Sequence, residues 1–245
     1  MELYPMIAEI FMSMGRFMVQ YPLKRKAFSV STPLLRATDL SHAFDYPLYQ
    51  DVDLTLLPGK SVAVQGRSGS GKSTLLHTLS GFLPPLHGSV AILGRDLYAM
   101  DEGERELFRR EELGIVFQAH YLFKGMTGRQ NIEAAALLAG KQIDPALLEA
   151  LEIDGVVDQK VGELSGGQQQ RISVARVLAK HPRLIFADEP TGNLDKQTAH
   201  LVMQVMEEYV RQVDGALFVV THDETIAHRC DDCFRLTEQR LVSCP

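Results

Sequence analysis

Gly66-Arg67-Ser68-Gly69-Ser70-Gly71-Lys72-Ser73-Thr74 is the stretch on which the reading of this chain turns. Its first eight residues fit G-x-x-x-x-G-K-[ST]. Glycines let successive backbone N–H groups wrap a pyrophosphate without Cβ interference, and a helix opening behind them turns its positive end to the same place. Lys72 is spaced to reach the β- and γ-phosphates, and the Ser73 hydroxyl to ligate Mg²⁺. The flanks supply the context that the pattern needs. Pro58-Gly59 turns the chain, and Ser61 to Gln65 reads as a short buried strand. Leu75, Leu76 and Leu79 then mark a helix that Gly81 ends.

Outward from this loop, strand-like segments at 34–40 and 52–57 precede it. A charged helix at 102–112 leads into a strand at 113–117, and residues 124–163 read mostly as helix, with Ala-Leu runs at 134–139 and 146–151. A strand at 184–187, a helix through Leu201, Met203 and Val205, and a strand at 217–221 complete the pattern. Apolar strands alternating with helices predict an α/β fold whose mainly parallel sheet is covered on both faces, with the middle helices as an insertion.

The bulk numbers are those of a globular protein: 245 residues, 45% hydrophobic, 23% charged, net charge −6. That charge offers no basic footprint for nucleic acid, and none is expected as a partner. The sequence holds no run of 18 apolar residues, the length at which a segment would be expected to cross a bilayer. Residues 1–33 read as an N-terminal extension: a Met-rich stretch with amphipathic or weakly ordered character, then a Pro- and Ser-containing linker from Pro22. Cys230, Cys233 and Cys244 are an odd count, which argues for a reducing compartment. The C-x-x-C pair lacks the companions of a zinc site and reads as incidental thiols.

A second stretch is sharper: Leu164-Ser165-Gly166-Gly167-Gln168-Gln169-Gln170-Arg171. Ser165 reads as a helix N-cap. Two adjacent glycines weaken a helix start by about 1 kcal/mol each, so something must approach this backbone closely, and a second phosphate fits.

Leu164 to Gln168 resembles the signature sequence of ABC ATPases, and further family elements follow in order. Ile185-Phe186-Ala187-Asp188-Glu189 is similar to the Walker B strand, Gly192-Asn193-Leu194-Asp195 to the D-loop, and Thr221-His222-Asp223 to the H-loop. Gln118, after Val116-Phe117, resembles the Q-loop residue. Phe44 resembles the aromatic residue that stacks on adenine, with Tyr46 and Tyr49 as close rivals. The resemblance covers residues 34–242, with the helical insertion at about 119–175. It implies a P-loop ATPase with a parallel core, a small antiparallel β subdomain and an inserted α-helical subdomain.

By that resemblance, Phe44 and residues 66–74 bind ATP, while Ser73, Asp188 and Gln118 hold Mg²⁺, a cation that prefers hard oxygen ligands. Glu189 is the general base, His222 contacts the γ-phosphate and steadies that base, and Gln118 reports phosphate status. Ser165, Gly166, Gly167 and Gln168 contact the ATP of the other protomer, with Asp195 in the D-loop, so two chains meet head to tail. A separate integral-membrane subunit is the implied partner, with the chain peripheral on the cytoplasmic face of the membrane.

Two departures concern docking rather than phosphate chemistry. Only 45 residues separate Gln118 from Leu164, and Val161 stands where many relatives have proline. The run Asp188 to Asp195 resembles the branch serving lipoprotein release, macrolide efflux and cell-division complexes. Its cargo would be lipoprotein, lipid or drug-like. The alternative is a regulatory or scaffold subunit of an envelope complex with little turnover. Intact Glu189 and His222 argue against that alternative. One P-loop, one signature and no heptad run argue against translation-factor or DNA-repair ABC proteins.

Overall fold

The computed structural model describes residues 32–192 and 194–244. The extension read at 1–33 therefore lies, up to residue 31, outside the described residues, as does Asn193.

Two sheets form the frame. Strands β1 (Leu35–Ala43), β2 (Pro47–Leu56), β4 (His87–Ile92) and β5 (Arg95–Asp96) build an antiparallel sheet in the order β2-β1-β4-β5. Strands β3 (Lys60–Gln65), β6 (Leu113–Val116), β7 (Leu184–Asp188), β8 (Ala216–Thr221), β9 (Asp232–Thr237) and β10 (Arg240–Ser243) build the other, in the order β10-β9-β3-β8-β7-β6. All neighbours in this second sheet run parallel except β10, which folds back antiparallel on β9. The helices are α1 (Lys72–Leu79), α2 (Glu102–Glu112), α3 (Gly128–Leu138), α4 (Pro145–Ala150), α5 (Gly166–Leu178), α6 (Lys196–Gln212) and α7 (Glu224–Ala227). None among the described residues is long and apolar enough to cross a membrane.

The apolar strand runs follow from burial on both faces. In β8, Phe218 and Val220 join the core between the two sheets, with Leu75, Leu76 and Leu79 of α1. Leu217 and Val219 point the other way, into the core shared with α3, α4, α5 and α6. All six β8 positions are therefore buried. Each fully buried Leu or Val contributes about 1.5–3 kcal/mol relative to exposure.

The predicted strands and the α1, α2 and α6 helices are present, with shifted ends. The reading of 124–163 as mostly helix is corrected: only α3, the six-residue α4 and a short 3₁₀ turn at Val161–Glu163 form there. Gly140 adopts a φ of +66° just past α3, and Pro145 restricts residue 144 to an extended conformation that starts a new helix. Strands β4, β5, β9 and β10 were not foreseen. Between β9 and β10, Glu238 and Gln239 have φ of +47° and +66°, the pattern of a two-residue type I′ hairpin turn.

Candidate functional site

Four parallel strands end at one edge, where open α/β sheets place their ligand crevices. β3 runs into Gly66, β6 leads to Gln118, β7 ends at Asp188 before Glu189, and β8 ends at Thr221 before His222.

The glycine loop closes around the start of α1. Gly71 is the N-cap residue of α1, with φ of +97° and no side-chain cap, so the first-turn N–H groups remain for another acceptor. A side chain at 71 would be strained at that φ, and its Cβ would sit 3.1 Å from Leu48 Cβ. Lys72 is buried and donates to the Gly66 carbonyl at 2.9 Å and the Arg67 carbonyl at 3.0 Å. Burial lowers its pKa, opposed by the carboxylates of Glu189 and Asp188. An ammonium carries three donors, so one is left for an anion.

Opposite lies the acidic side. Ser73 Oγ donates to Asp188 Oδ1 at 3.1 Å. Burial raises the Asp188 pKa, and the Ser73 hydrogen bond opposes it. Glu189 sits in the left-handed region at φ of +46°, with its N–H bonded to the Val220 carbonyl at 2.9 Å. Such a conformation costs on the order of 1–3 kcal/mol and persists only where the surroundings enforce it. It turns the carboxylate toward β8, where His222 Nδ1 lies 2.9 Å from Oε1 and Thr221 Oγ1 donates to Oε2 at 3.1 Å.

These groups share one cavity of about 560 Å³, lined by Ser68, Gly69, Gly71, Lys72, Ser73 and Thr74, by Gln118, Asp188, Glu189 and His222, and by Phe44, Tyr46 and Leu48. An adjoining cavity of about 890 Å³ takes in Gly66, Arg67, Ser70, Tyr46 and His222. Of the three aromatic candidates, Tyr49 is fully buried with its hydroxyl 2.7 Å from Thr78 Oγ1, which removes it. Phe44 and Tyr46 stay exposed at the rim, and Tyr46 lines both cavities.

The signature residues are elsewhere. Ser165 and Gln168 form a capping box: Gln168 N–H donates to Ser165 Oγ at 3.3 Å, and Ser165 N–H to Gln168 Oε1 at 2.8 Å. With Gly166 and Gly167 they line neither cavity. Asp195 likewise caps α6, accepting from Gln197 and Thr198 N–H at 3.0 Å and from Thr198 Oγ1 at 2.6 Å.

Sequence reasoning missed three supports. Thr221, quoted only as part of a motif, holds the Glu189 carboxylate. Buried Gln170 donates to the Pro190 carbonyl at 2.7 Å, tying α5 to the loop after Glu189. Arg176 donates to the His120 and Tyr121 carbonyls at 2.9 and 2.6 Å, tying α5 to the loop after Gln118. A Gln and an Arg along the signature helix were the signal; their partners were not visible.

For a metal, the hydroxyl of Ser73 and the carboxylate of Asp188 supply hard oxygens at one point, beside Gln118. No cluster of three or more His, Cys, Asp or Glu suited to a metal exists among the described residues. Mg²⁺ uses one or two carboxylates plus substrate phosphates and waters, and Asp188 beside Ser73 offers one such carboxylate.

Residues 49–192 match the ABC transporter family model. The lipoprotein-releasing system ATP-binding protein LolD of Xanthomonas campestris pv. campestris is 40% identical over 201 residues, covering 80% of this chain and 84% of that protein. LolD of Nitratidesulfovibrio vulgaris is 38% identical over 208 residues, covering 80% and 89%. Among solved structures, the dimeric post-hydrolysis state of the ATP-binding cassette MJ0796 bound to ADP and Pi aligns with a TM-score of 0.75 at 29% identity, covering 84% of this chain and 96% of that one.

Proposed function

The chain belongs to the ABC transporter family and is its ATP-binding, ATP-hydrolysing subunit; from that premise we propose that it powers a lipoprotein-releasing system through a separate membrane subunit. The cargo is taken from the names of its LolD relatives, and the separate membrane subunit from the family resemblance. With them comes a peripheral position on the cytoplasmic face of the membrane. Residues 34–242 act as one ATPase unit, with the helices at about 119–175 as its insertion.

One observation carries the mechanism: Glu189, held by His222 and Thr221, faces the same cavity as Lys72, Ser73 and Asp188. ATP lays its phosphates on the N–H groups of residues 66–74, with adenine against Phe44 or Tyr46. Lys72 turns its remaining donor to the β- and γ-oxygens. Ser73, Asp188 and Gln118 would hold Mg²⁺, which when bound neutralises charge on those oxygens. The Glu189 carboxylate accepts a proton from the attacking water, and His222 keeps that carboxylate aimed. Phosphoryl transfer needs mainly positioning and charge neutralisation, and these residues provide both.

A single chain leaves Ser165 to Gln168 outside the cavity, so a second copy is needed to bring its signature glycines to the γ-phosphate. A head-to-tail homodimer satisfies this, and the dimeric state of the MJ0796 cassette supports it. Steady-state ATPase assays and a sizing column run in ATP and Mg²⁺ test the reading, followed by co-purification with the membrane subunit. Turnover with an ATP-dependent dimer is expected. ATP binding with neither turnover nor dimer, even in the presence of the membrane subunit, would point to the scaffold role instead.

A further inference from the structure

The three thiols of the chain gather beside β3, and none is in a disulfide. The β9–β10 register pairs Ser243 with Phe234 and continues one step further. There the Cys244 N–H donates to the Cys233 carbonyl at 2.8 Å, making the two cysteines a directly opposed, hydrogen-bonded antiparallel pair. Cα atoms in such a pair stand about 5.5 Å apart, within the roughly 4.4–6.8 Å that a disulfide spans. Their side chains leave the same face, and the Cys233 thiol itself points toward the Phe234 carbonyl at 4.0 Å. Gln65 Nε2 also reaches the Cys244 sulfur, at 2.9 Å. The hairpin is anchored at its turn by Gln50 N–H donating to the Gln239 carbonyl at 2.7 Å and by an Arg240–Asp51 ion pair at 3.3 Å. Both cysteines are half-buried, whereas Cys230 is buried with its sulfur near the Ile226 carbonyl.

We propose that Cys233 and Cys244 form a redox-reactive dithiol that a peroxide closes to a cross-strand disulfide, one residue from the root of the phosphate loop. Gln65, which touches Cys244, is the last residue of β3 and directly precedes Gly66. Intracellular disulfides are mostly transient and redox-sensing, so this chemistry is compatible with a reducing compartment.

The order of events follows from the surroundings. Burial, then the contact with Cys244, pushes the Cys233 thiol up to about 12, so Cys233 keeps its proton and Cys244 reacts first. The Cys244 sulfur attacks one peroxide oxygen, the O–O bond breaks and water leaves, giving a sulfenic acid. The Cys233 sulfur attacks that sulfur, the S–O bond breaks, and the hydroxyl leaves with the Cys233 proton as a second water. The dithiol loses two electrons and two protons, and the peroxide takes up both.

The test treats the full chain with hydrogen peroxide, counts free thiols after denaturation and maps the linkage by peptide mass spectrometry. Three thiols should fall to one, with Cys230 remaining, and dithiothreitol should restore all three. Cys230→Ser should leave the Cys233–Cys244 link unchanged. Three persistent thiols overturn the proposal. So does a sulfinic acid without any disulfide, a Cys230–Cys233 link, or a link between chains.

Discussion

His222 Nδ1 stands 2.9 Å from Glu189 Oε1, and this contact joins the ends of β8 and β7 into one reactive unit. The two residues are 33 positions apart in the sequence, 222 less 189. The parallel pairing of Asp188 with Val220 brings them together, and the left-handed φ of Glu189 completes the approach. The geometry also assigns the donating tautomer of His222, with Nδ1 protonated toward the carboxylate.

Replacing that carboxylate by its amide keeps shape and removes basicity. Glu189→Gln should lower kcat by about 10²–10⁴-fold, the usual contribution of a general base, while ATP affinity changes little. Steady-state turnover and nucleotide titration check it; a variant retaining half its turnover refutes the assignment.

Thr221 is fully buried, and its hydroxyl serves Glu189 while accepting from Asp223 N–H at 3.0 Å. Thr221→Val keeps the volume and deletes the hydroxyl. Hydrogen bonds to charged groups contribute about 1.5–3 kcal/mol, so turnover should fall roughly 10–100-fold. In the background of Glu189→Gln the same change should add little, because the two act as one unit. Equal losses in both backgrounds would show that Thr221 acts through the fold instead.

How much of this was legible depends on how far apart the partners lie. The phosphate loop was readable because its requirements are contiguous: glycine backbone freedom, a lysine, a hydroxyl and a strand before a helix. The buried strands at 61–65, 184–187 and 217–221 were readable because each is apolar on both faces. Strand β4 was not. At Gly88 the missing side chain lets the chain pass the Thr38 and Asp39 carbonyls, which a Cβ would meet at 2.4 and 2.3 Å. Only pairing with β1 reveals that need. Strand β9 reads as polar because Asp232 and Arg235 face solvent. The middle segment was over-read as helix because its Ala-Leu composition outweighed Gly140 and Pro145. The supports from Thr221, Gln170 and Arg176 depend on partners 20–56 residues distant, which no local pattern encodes.

Gly167 separates the signature's two possible roles, helix start and phosphate contact. A side chain there meets only Thr198 Cγ2 at 3.7 Å and Leu194 Cδ2 at 3.8 Å, ordinary contacts. Aspartate also suits the first turn of a helix, by about 0.3–1 kcal/mol. Gly167→Asp should therefore leave the melting temperature unchanged or slightly raised, while like-charge repulsion of the γ-phosphate cuts turnover at least 10-fold. Mixing it with Lys72→Ala should restore part of the activity, since each chain then supplies the half-site that the other lacks. No recovery on mixing would refute the head-to-tail arrangement.

Lys180, just past α5, predicts a pH dependence of stability. Burial, with Arg176 adding like charge, pulls its pKa down from 10.5 to about 8. Its Nζ donates to the Leu113 carbonyl at 2.8 Å. Below pH 8 the ammonium is charged in both folded and unfolded chains, and the folded state carries the full penalty, on the order of 3 kcal/mol. As pH rises from about 8 to 10.5, the folded chain binds fewer protons than the unfolded one, so stability climbs and the penalty disappears. Lys180→Met removes the penalty along with one hydrogen bond of about 1 kcal/mol. The variant should be more stable than wild type by roughly 1–2 kcal/mol at pH 7. That advantage should shrink through pH 8–10 and reverse slightly above 10.5. Urea unfolding of both proteins across this range measures the difference, in which the groups titrating in both chains cancel. A difference that stays flat from pH 7 to 10.5 would mean that Lys180 is solvated in the folded protein and its pKa ordinary.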